Sequence, residues 1–105
     1  MDSDEGEHYD SVSALQKSIR GSDVDAALYY LARLCIIQDL DSIKRRLLVI
    51  AYEDVGLGNP QAVNRVHNAI NAAEFVGFPE AVIPLGFAVT ELTLSPKSRA
   101  SCDAM

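Results

Sequence analysis

Apolar residues recur at spacings of three and four along almost the whole of this chain, and glycine or proline interrupts them at intervals. Val12, Leu15 and Ile19 form one such stripe, and Ala27/Leu28, Leu31 and Leu34/Cys35 a second. Leu40, Ile43, Leu47 and Ile50/Ala51, with Val55, form a third. Val63, Val66, Ala69/Ile70 and Ala73 form a fourth, and Val82, Leu85, Ala88/Val89 and Leu92 a fifth. This spacing lays apolar side chains along one face of an α-helix. No stretch alternates with period two for long enough to require a sheet. The expectation is an all-α fold, a compact bundle of about five to six antiparallel helices with short loops.

The punctuation places the helix ends. Gly21 stands where a left-handed C-terminal cap would close the first helix. Ser22 then opens the second, with Asp25 approximating a capping box. Asp39 or Asp41 is the expected N-cap of the third. Gly56-Leu57-Gly58-Asn59-Pro60 reads as a stop followed by a start, with Asn59 as N-cap and Pro60 at the first helical position. The fourth helix should end at Gly77, and Pro79 should open the fifth, which Ser95-Pro96 closes. Pro84 either kinks that helix or marks its true start. A short sixth helix is expected after Pro96.

Composition excludes several classes. A chain 49% hydrophobic and 23% charged, with mean hydropathy +0.07, is not intrinsically disordered. Its longest apolar runs, such as 47–52, fall far short of the ~20 residues of a membrane helix. The N-terminus is acidic where a secretory signal is basic. Cys35 and Cys102 form no disulfide framework, and reduced thiols in a cytoplasmic protein are expected. The net charge of −6 is uneven: five acids lie in the first ten residues, and residues 11–105 hold 10 acids against 9 bases. An acidic leader thus precedes a nearly neutral body, and such a body lacks the long-range attraction of an autonomous nucleic-acid binder.

Little in the residues points to catalysis. Gly56-Leu57-Gly58 lacks the Lys-Ser/Thr of a phosphate loop and the strand that precedes a dinucleotide fingerprint, and a helix cap explains both glycines. Glu53-Asp54 could be an acid–base pair, but adjacent helical residues point about 100° apart and do not easily share one site. They also lie near a helix C-terminus, where acids are unfavourable, which hints at a partner such as Arg45, Arg46 or an arginine on another helix. Lys44-Arg45-Arg46 reads as a solvated, ion-paired face or as a phosphate or inter-subunit contact. Lys17, Arg20, Arg33 and Lys97 complete the candidate DNA or interface contacts. Of Tyr29-Tyr30, one ring is expected in the core and one at an edge. His8, ahead of the first helix, and His67 have no nucleophile or second ligand at a recognisable spacing. No catalytic, cofactor-binding or metal-ligating residue is expected.

The order of the motifs adds a resemblance. His8-Tyr9-Asp10, the run 13–33 (SALQKSIRGSDVDAALYYLAR), Arg45-Arg46-Leu47 and residues 51–57 (AYEDVGL) resemble the C-terminal region of one AAA+ ATPase family. Asn59-Pro60, Gly77-Phe78-Pro79-Glu80 and Ser95-Pro96-Lys97-Ser98 follow in the same order. The family is the bacterial replication-associated recombination protein A (RarA or MgsA), related to the eukaryotic Werner-helicase-interacting ATPase. Gln16 stands where that family commonly has a His, and residues 36–41 lack its usual Gly and Pro, which would let helix two run on and leave Ile36/Ile37 buried or in an apolar interface patch. Arg99 and Cys102 replace its Asn and aromatic residue.

The resemblance implies a clamp-loader-collar-like oligomerisation domain over residues 10–105, joined by an acidic linker, residues 1–9, to an absent AAA+ core. It implies a homotetramer, and a parent protein that hydrolyses ATP with magnesium and works on DNA at stalled forks with single-stranded-DNA-binding protein. Localisation would be cytoplasmic, with the parent associated with the nucleoid. This fragment itself would not be an enzyme. The other reading is a helical adaptor that touches DNA or single-stranded-DNA-binding protein through Arg33, Lys44, Arg45, Arg46 and Lys97.

Overall fold

The computed structural model describes residues 3–103, with side chains from residue 10 onward. The acidic side chains of the expected linker, and those of His8 and Tyr9, lie outside the described residues. Six α-helices follow one another: α1 (Ser3–Arg20), α2 (Val24–Ile37), α3 (Leu40–Ile50), α4 (Pro60–Val76), α5 (Val82–Leu94) and the short α6 (Ala100–Asp103). Between α3 and α4 the chain widens into a π-helical turn, Ala51–Val55, and then tightens into a 3-10 turn, Gly56–Gly58. No strand occurs among the described residues, and no helix is long and apolar enough to cross a membrane.

Helix α5 is the hub, packing on α1, α2, α3 and α4. Leu85, Ala88, Val89 and Leu92 are fully buried there, against Leu15 and Ile19 of α1, Leu34 of α2, and Ile43 and Leu47 of α3 in one continuous core. Each such leucine or isoleucine contributes about 1.5–3 kcal/mol through the apolar surface it removes from water. The five predicted stripes are therefore the inward faces, except that Val82, at the start of the fifth, is exposed.

The helix ends differ from expectation in several places, and α1 already begins at Ser3, so the backbone at His8 lies within it and not ahead of it. The left-handed residue after α1 is Ser22 (φ 60°), not Gly21, whose N–H still bonds the Lys17 carbonyl at 2.9 Å as in a helix. Asp23, not Ser22, caps α2; its carboxylate accepts from the Ala26 N–H at 3.1 Å and sets a negative charge at the positive helix end. Asn59 is the N-cap residue of α4 as expected, but its side chain makes no capping bond, because its amide donates to the Ser95 hydroxyl at 3.2 Å. Finally, α5 starts at Val82 and not at Pro79, so Pro84 falls in the first turn, where its missing N–H has no intrahelical partner to lose. Asp39, one of the two residues considered, caps α3 through the Ser42 N–H at 3.2 Å. Helix α2 does not run on: Gln38 turns left-handed at φ 62° and ends it.

The 3-10 turn fits closely against the C-terminal segment. A Cβ on Gly58 would lie 2.5 Å from the Pro96 carbonyl oxygen and 3.1 Å from its carbon, closer than real atoms approach. Gly58→Ala should therefore displace residues 95–98 and lower stability by about 1–3 kcal/mol, read from the urea midpoint. Gly86, within α5, has nothing within 4 Å of its Cβ position, so Gly86→Ala should instead raise stability, by about 0.5–1 kcal/mol.

Candidate functional site

The π-helical turn carries the chain's most concentrated polar chemistry. Its closing bond runs from the Gly56 N–H to the Ala51 carbonyl, and Gly56 permits the exit at φ 44°, a conformation that L side chains rarely adopt. The turn directs the Asp54 carboxylate inward, leaving the side chain only 1% exposed. A buried carboxylate is tolerated where donors replace the water it lost. Three surround it: Gln16 Nε2 donates to Oδ2 at 3.0 Å, Arg20 Nε to Oδ1 at 3.2 Å, and Arg99 Nη1 to Oδ1 at 3.4 Å.

Glu53 joins the same cluster. It accepts from Gln16 Nε2 at 3.0 Å and from Arg99 Nη1 at 3.1 Å. The expectation that adjacent acids would not share a site is thus corrected: one amide and one guanidinium are long enough to bridge both carboxylates. The hydrogen bond from Arg99, and then that from Gln16, hold the Glu53 carboxyl below its ordinary value of 4.5. Gln16 also accepts from Arg46 Nη1 at 3.1 Å, so its amide is used on both sides. The Ser98 N–H closes on the Asp54 carbonyl at 2.8 Å. Helix α1, the turn after α3 and the C-terminal segment meet here. Both carboxylates accept only from positioned donors, so the cluster fits a structural clasp better than a general base.

The remaining basic candidates separate. Lys44 turns to Glu74 of α4, while Arg45 turns to Asp41 at 2.8 Å. Arg46 points the other way, to Gln16, so the Lys44-Arg45-Arg46 run is not one surface. Arg33 lies over the Tyr29 ring, 5.8 Å from its centroid. Lys97 Nζ donates to the Thr93 and Ser95 carbonyls at 2.7 and 2.6 Å, capping the C-terminal end of α5. It also reaches the Ser22 hydroxyl at 3.2 Å, and its burial lowers its pKa. The Lys17 side chain has no hydrogen-bond or ion-pair partner among the described residues. Of the nominated residues, Arg20, Glu53 and Asp54 share the cluster, and Arg46 joins it through Gln16. Gln16 and Arg99 were noted as departures from the family's usual residues but not nominated, because nothing local in the sequence ties them to Glu53 and Asp54.

A second feature is apolar. Helix α5 carries a single charged residue, Glu91, yet only part of its surface is covered. Ile83 is 74% exposed, and Val82 and Phe87 stand out beside it. On α4, Phe75 is 92% exposed, and at the end of α2 Ile36 is 80% exposed beside Ile37. The alternative of burial for Ile36/Ile37 is excluded. For all of them but Val82, which stood on the fifth stripe, a signal existed: they are large apolar side chains lying off the inward stripes. A groove of about 680 Å³ runs between α4 and α5, with Ile83 and Phe87 on its α5 side. The glycines at 56 and 58 form no phosphate cradle, since Gly58 is pressed on Pro96.

Fold and site together define an all-helical module with a saturated polar clasp and an uncovered apolar face. The family model described as "MgsA AAA+ ATPase C terminal" matches residues 21–105, and the chain belongs to that family as its C-terminal domain. It is 67% identical over 100 residues to the replication-associated recombination protein A of Bacillus subtilis (strain 168), covering 95% of this chain and 24% of that protein. It is 42% identical to the same-named protein of Escherichia coli (strain K12), covering 88% and 21%. It is 37% identical to the ATPase WRNIP1 of Dictyostelium discoideum, covering 90% and 11%. The chain therefore spans about a quarter of the length of the bacterial relatives it matches.

The Glu53 shift has a pH consequence. A carboxyl whose folded pKa is depressed adds stability above its unfolded value, and that stability is lost as pH falls through the folded value. The urea midpoint should hold down to about pH 5 and decline below 4.5, with a shallower decline in Glu53→Gln.

Proposed function

We propose that this domain assembles the subunits of a DNA-dependent AAA+ ATPase acting in replication-fork rescue, recombination and repair, with a homotetramer as the product. The observation that carries the reading is the uncovered apolar surface of α5, where Val82, Ile83 and Phe87 are exposed. A helix that is apolar nearly all round is ordinarily buried on every side. Here Ile83, Phe87 and Phe75 meet water in the single chain, and association would cover them. The named relatives supply the biological setting, since the bacterial ones are called replication-associated recombination proteins. ATP and magnesium would be held by parts of the parent protein other than this chain.

The adaptor reading has less support. Arg45, Arg46 and Lys97 already donate to acceptors within the fold, and Lys44 is paired with Glu74. A phosphate contact would first have to displace those partners.

Light scattering coupled to size exclusion, run over a concentration series, tests assembly. An oligomer of defined mass at micromolar concentration is expected, and a strict monomer at high concentration refutes the reading. Fluorescence anisotropy with single-stranded and forked DNA over a salt series tests the adaptor. Little salt-sensitive binding is expected from the isolated domain, and no loss in Arg45→Ala/Arg46→Ala.

A further inference from the structure

Residues 98–103 carry no large apolar side chain, and none of them is buried. Hydrophobic burial therefore does little to hold this segment, and polar contacts have to. The Ser98 N–H donates to the Asp54 carbonyl at 2.8 Å. Arg99 Nη1 donates to Glu53 Oε2 at 3.1 Å and to Asp54 Oδ1 at 3.4 Å. The segment lies over the two glycines of the preceding turns. A Cβ on Gly56 would come within 3.6 Å of Ser101 Oγ, and one on Gly58 within 3.3 Å of the Ser98 Cβ. Bare backbone at both positions lets the segment lie this close. It is also braced on itself: Arg99 Nε pairs with Asp103 Oδ1 at 3.4 Å, and the Asp103 N–H donates to the Arg99 carbonyl at 2.7 Å. Its inner end is fixed separately. Lys97 is tied to the Thr93 and Ser95 carbonyls at the end of α5, and Pro96 is pressed on Gly58.

We infer that residues 98–103 form a strap, hinged at Lys97 and latched by Arg99, that lifts off the two turns as a unit while α1–α5 stay packed. Lifting exposes little apolar surface, so the core gives up nothing when it happens. In the lifted form Asp54 keeps Gln16 and Arg20 as donors, and Glu53 keeps Gln16, so α1 still holds both acids. What changes is the outer edge of the two carboxylates, which loses the guanidinium and meets water. The latch answers to ionic strength, because the Arg99 and Glu53 side chains are 41% and 31% exposed and salt reaches them. The strap is thus a salt-sensitive cover on the acidic pair, closed at low ionic strength and lifted for a larger share of the time at high.

Native-state amide exchange in a urea series tests this on the intact chain, with each rate divided by that of an unstructured peptide of the same sequence. The Ser98 amide should exchange through an opening nearly independent of urea, because little surface is exposed. The Leu92 amide, inside α5, should follow the steep urea dependence of global unfolding. Raising salt from about 0.1 M to about 1 M shortens the screening length from about 10 Å to about 3 Å and should speed Ser98 exchange about threefold. Arg99→Gln should speed it about tenfold at low salt and abolish the salt response. Val89→Ala, a core substitution, should speed Leu92 exchange about tenfold and leave Ser98 unchanged. Circular dichroism checks that both variants stay helical; if Arg99→Gln does not, the salt series on the parent chain still decides. If Ser98 shares the urea slope of Leu92, or quickens with it in Val89→Ala, the segment opens only with the core and the strap is refuted. If Ser98 opens locally but neither salt nor Arg99→Gln changes its rate, Arg99 is not the latch and the salt-sensitive cover is refuted.

Discussion

A carboxylate placed in a protein interior needs donors on nearly every side, and those donors have to arrive from somewhere. At Asp54 they arrive from residues 34 to 45 positions away: Gln16 and Arg20 on α1, and Arg99 beyond α5. Removing the acid would leave them without their shared acceptor, while removing a donor would leave the acid short of a partner. Truncation of a partly buried, charge-assisted network of this kind typically costs on the order of 1–3 kcal/mol. The π-helical turn is what makes the placement possible. It takes the end of α3 out of regular register, so that Asp54 faces inward while Glu53 stays near the surface beside it.

The two surfaces of the molecule divide the labour. Around Asp54 the polar groups are saturated and the packing joins distant parts of one chain. Along α4 and α5 the apolar groups lie open. This separation also leaves most of the basic residues paired within the fold. Arg20, Arg46 and Arg99 serve the clasp, Lys44 ties α3 to Glu74 of α4, Arg45 pairs with Asp41 of its own helix, and Lys97 caps α5. A stretch such as Lys44-Arg45-Arg46 looks like a patch when written in line, but successive helical residues point in different directions.

Helical periodicity explains why so much of the fold was readable in advance. Leu15, Ile19, Leu47, Leu85 and Leu92 were marked as inward by spacing alone, and all are fully buried. Helix ends were less legible, because several residues could satisfy the same local preference. Ser22 and Asp23 compete for one cap, and Pro84 suits the first turn of a helix as well as it suits a kink. Asn59 holds the N-cap position of α4, but its side chain donates to the Ser95 hydroxyl instead of closing the cap. The clasp was legible only by half. Acids near a helix C-terminus announced a need for cations, but the choice of Arg20 and Arg99 depends on how α1 and the last segment come together. The apolar groove needed no such long-range knowledge, since Ile83 and Phe87 stand off the inward stripe of their own helix.

The clasp also governs how the chain comes apart. In most small helical domains the terminal turns fray independently, and exchange of their amide protons reports only local opening. Here the Arg99 guanidinium, the Ser98 amide, and the Gln16 and Arg20 side chains all end on Glu53 or Asp54. Peeling away the last ten residues therefore strips counter-charge from the same carboxylates that hold α1. Helix α1 from Gln16 onward and the segment at Ser98 and Arg99 thus share the same two carboxylates, so opening at one weakens the hold on the other.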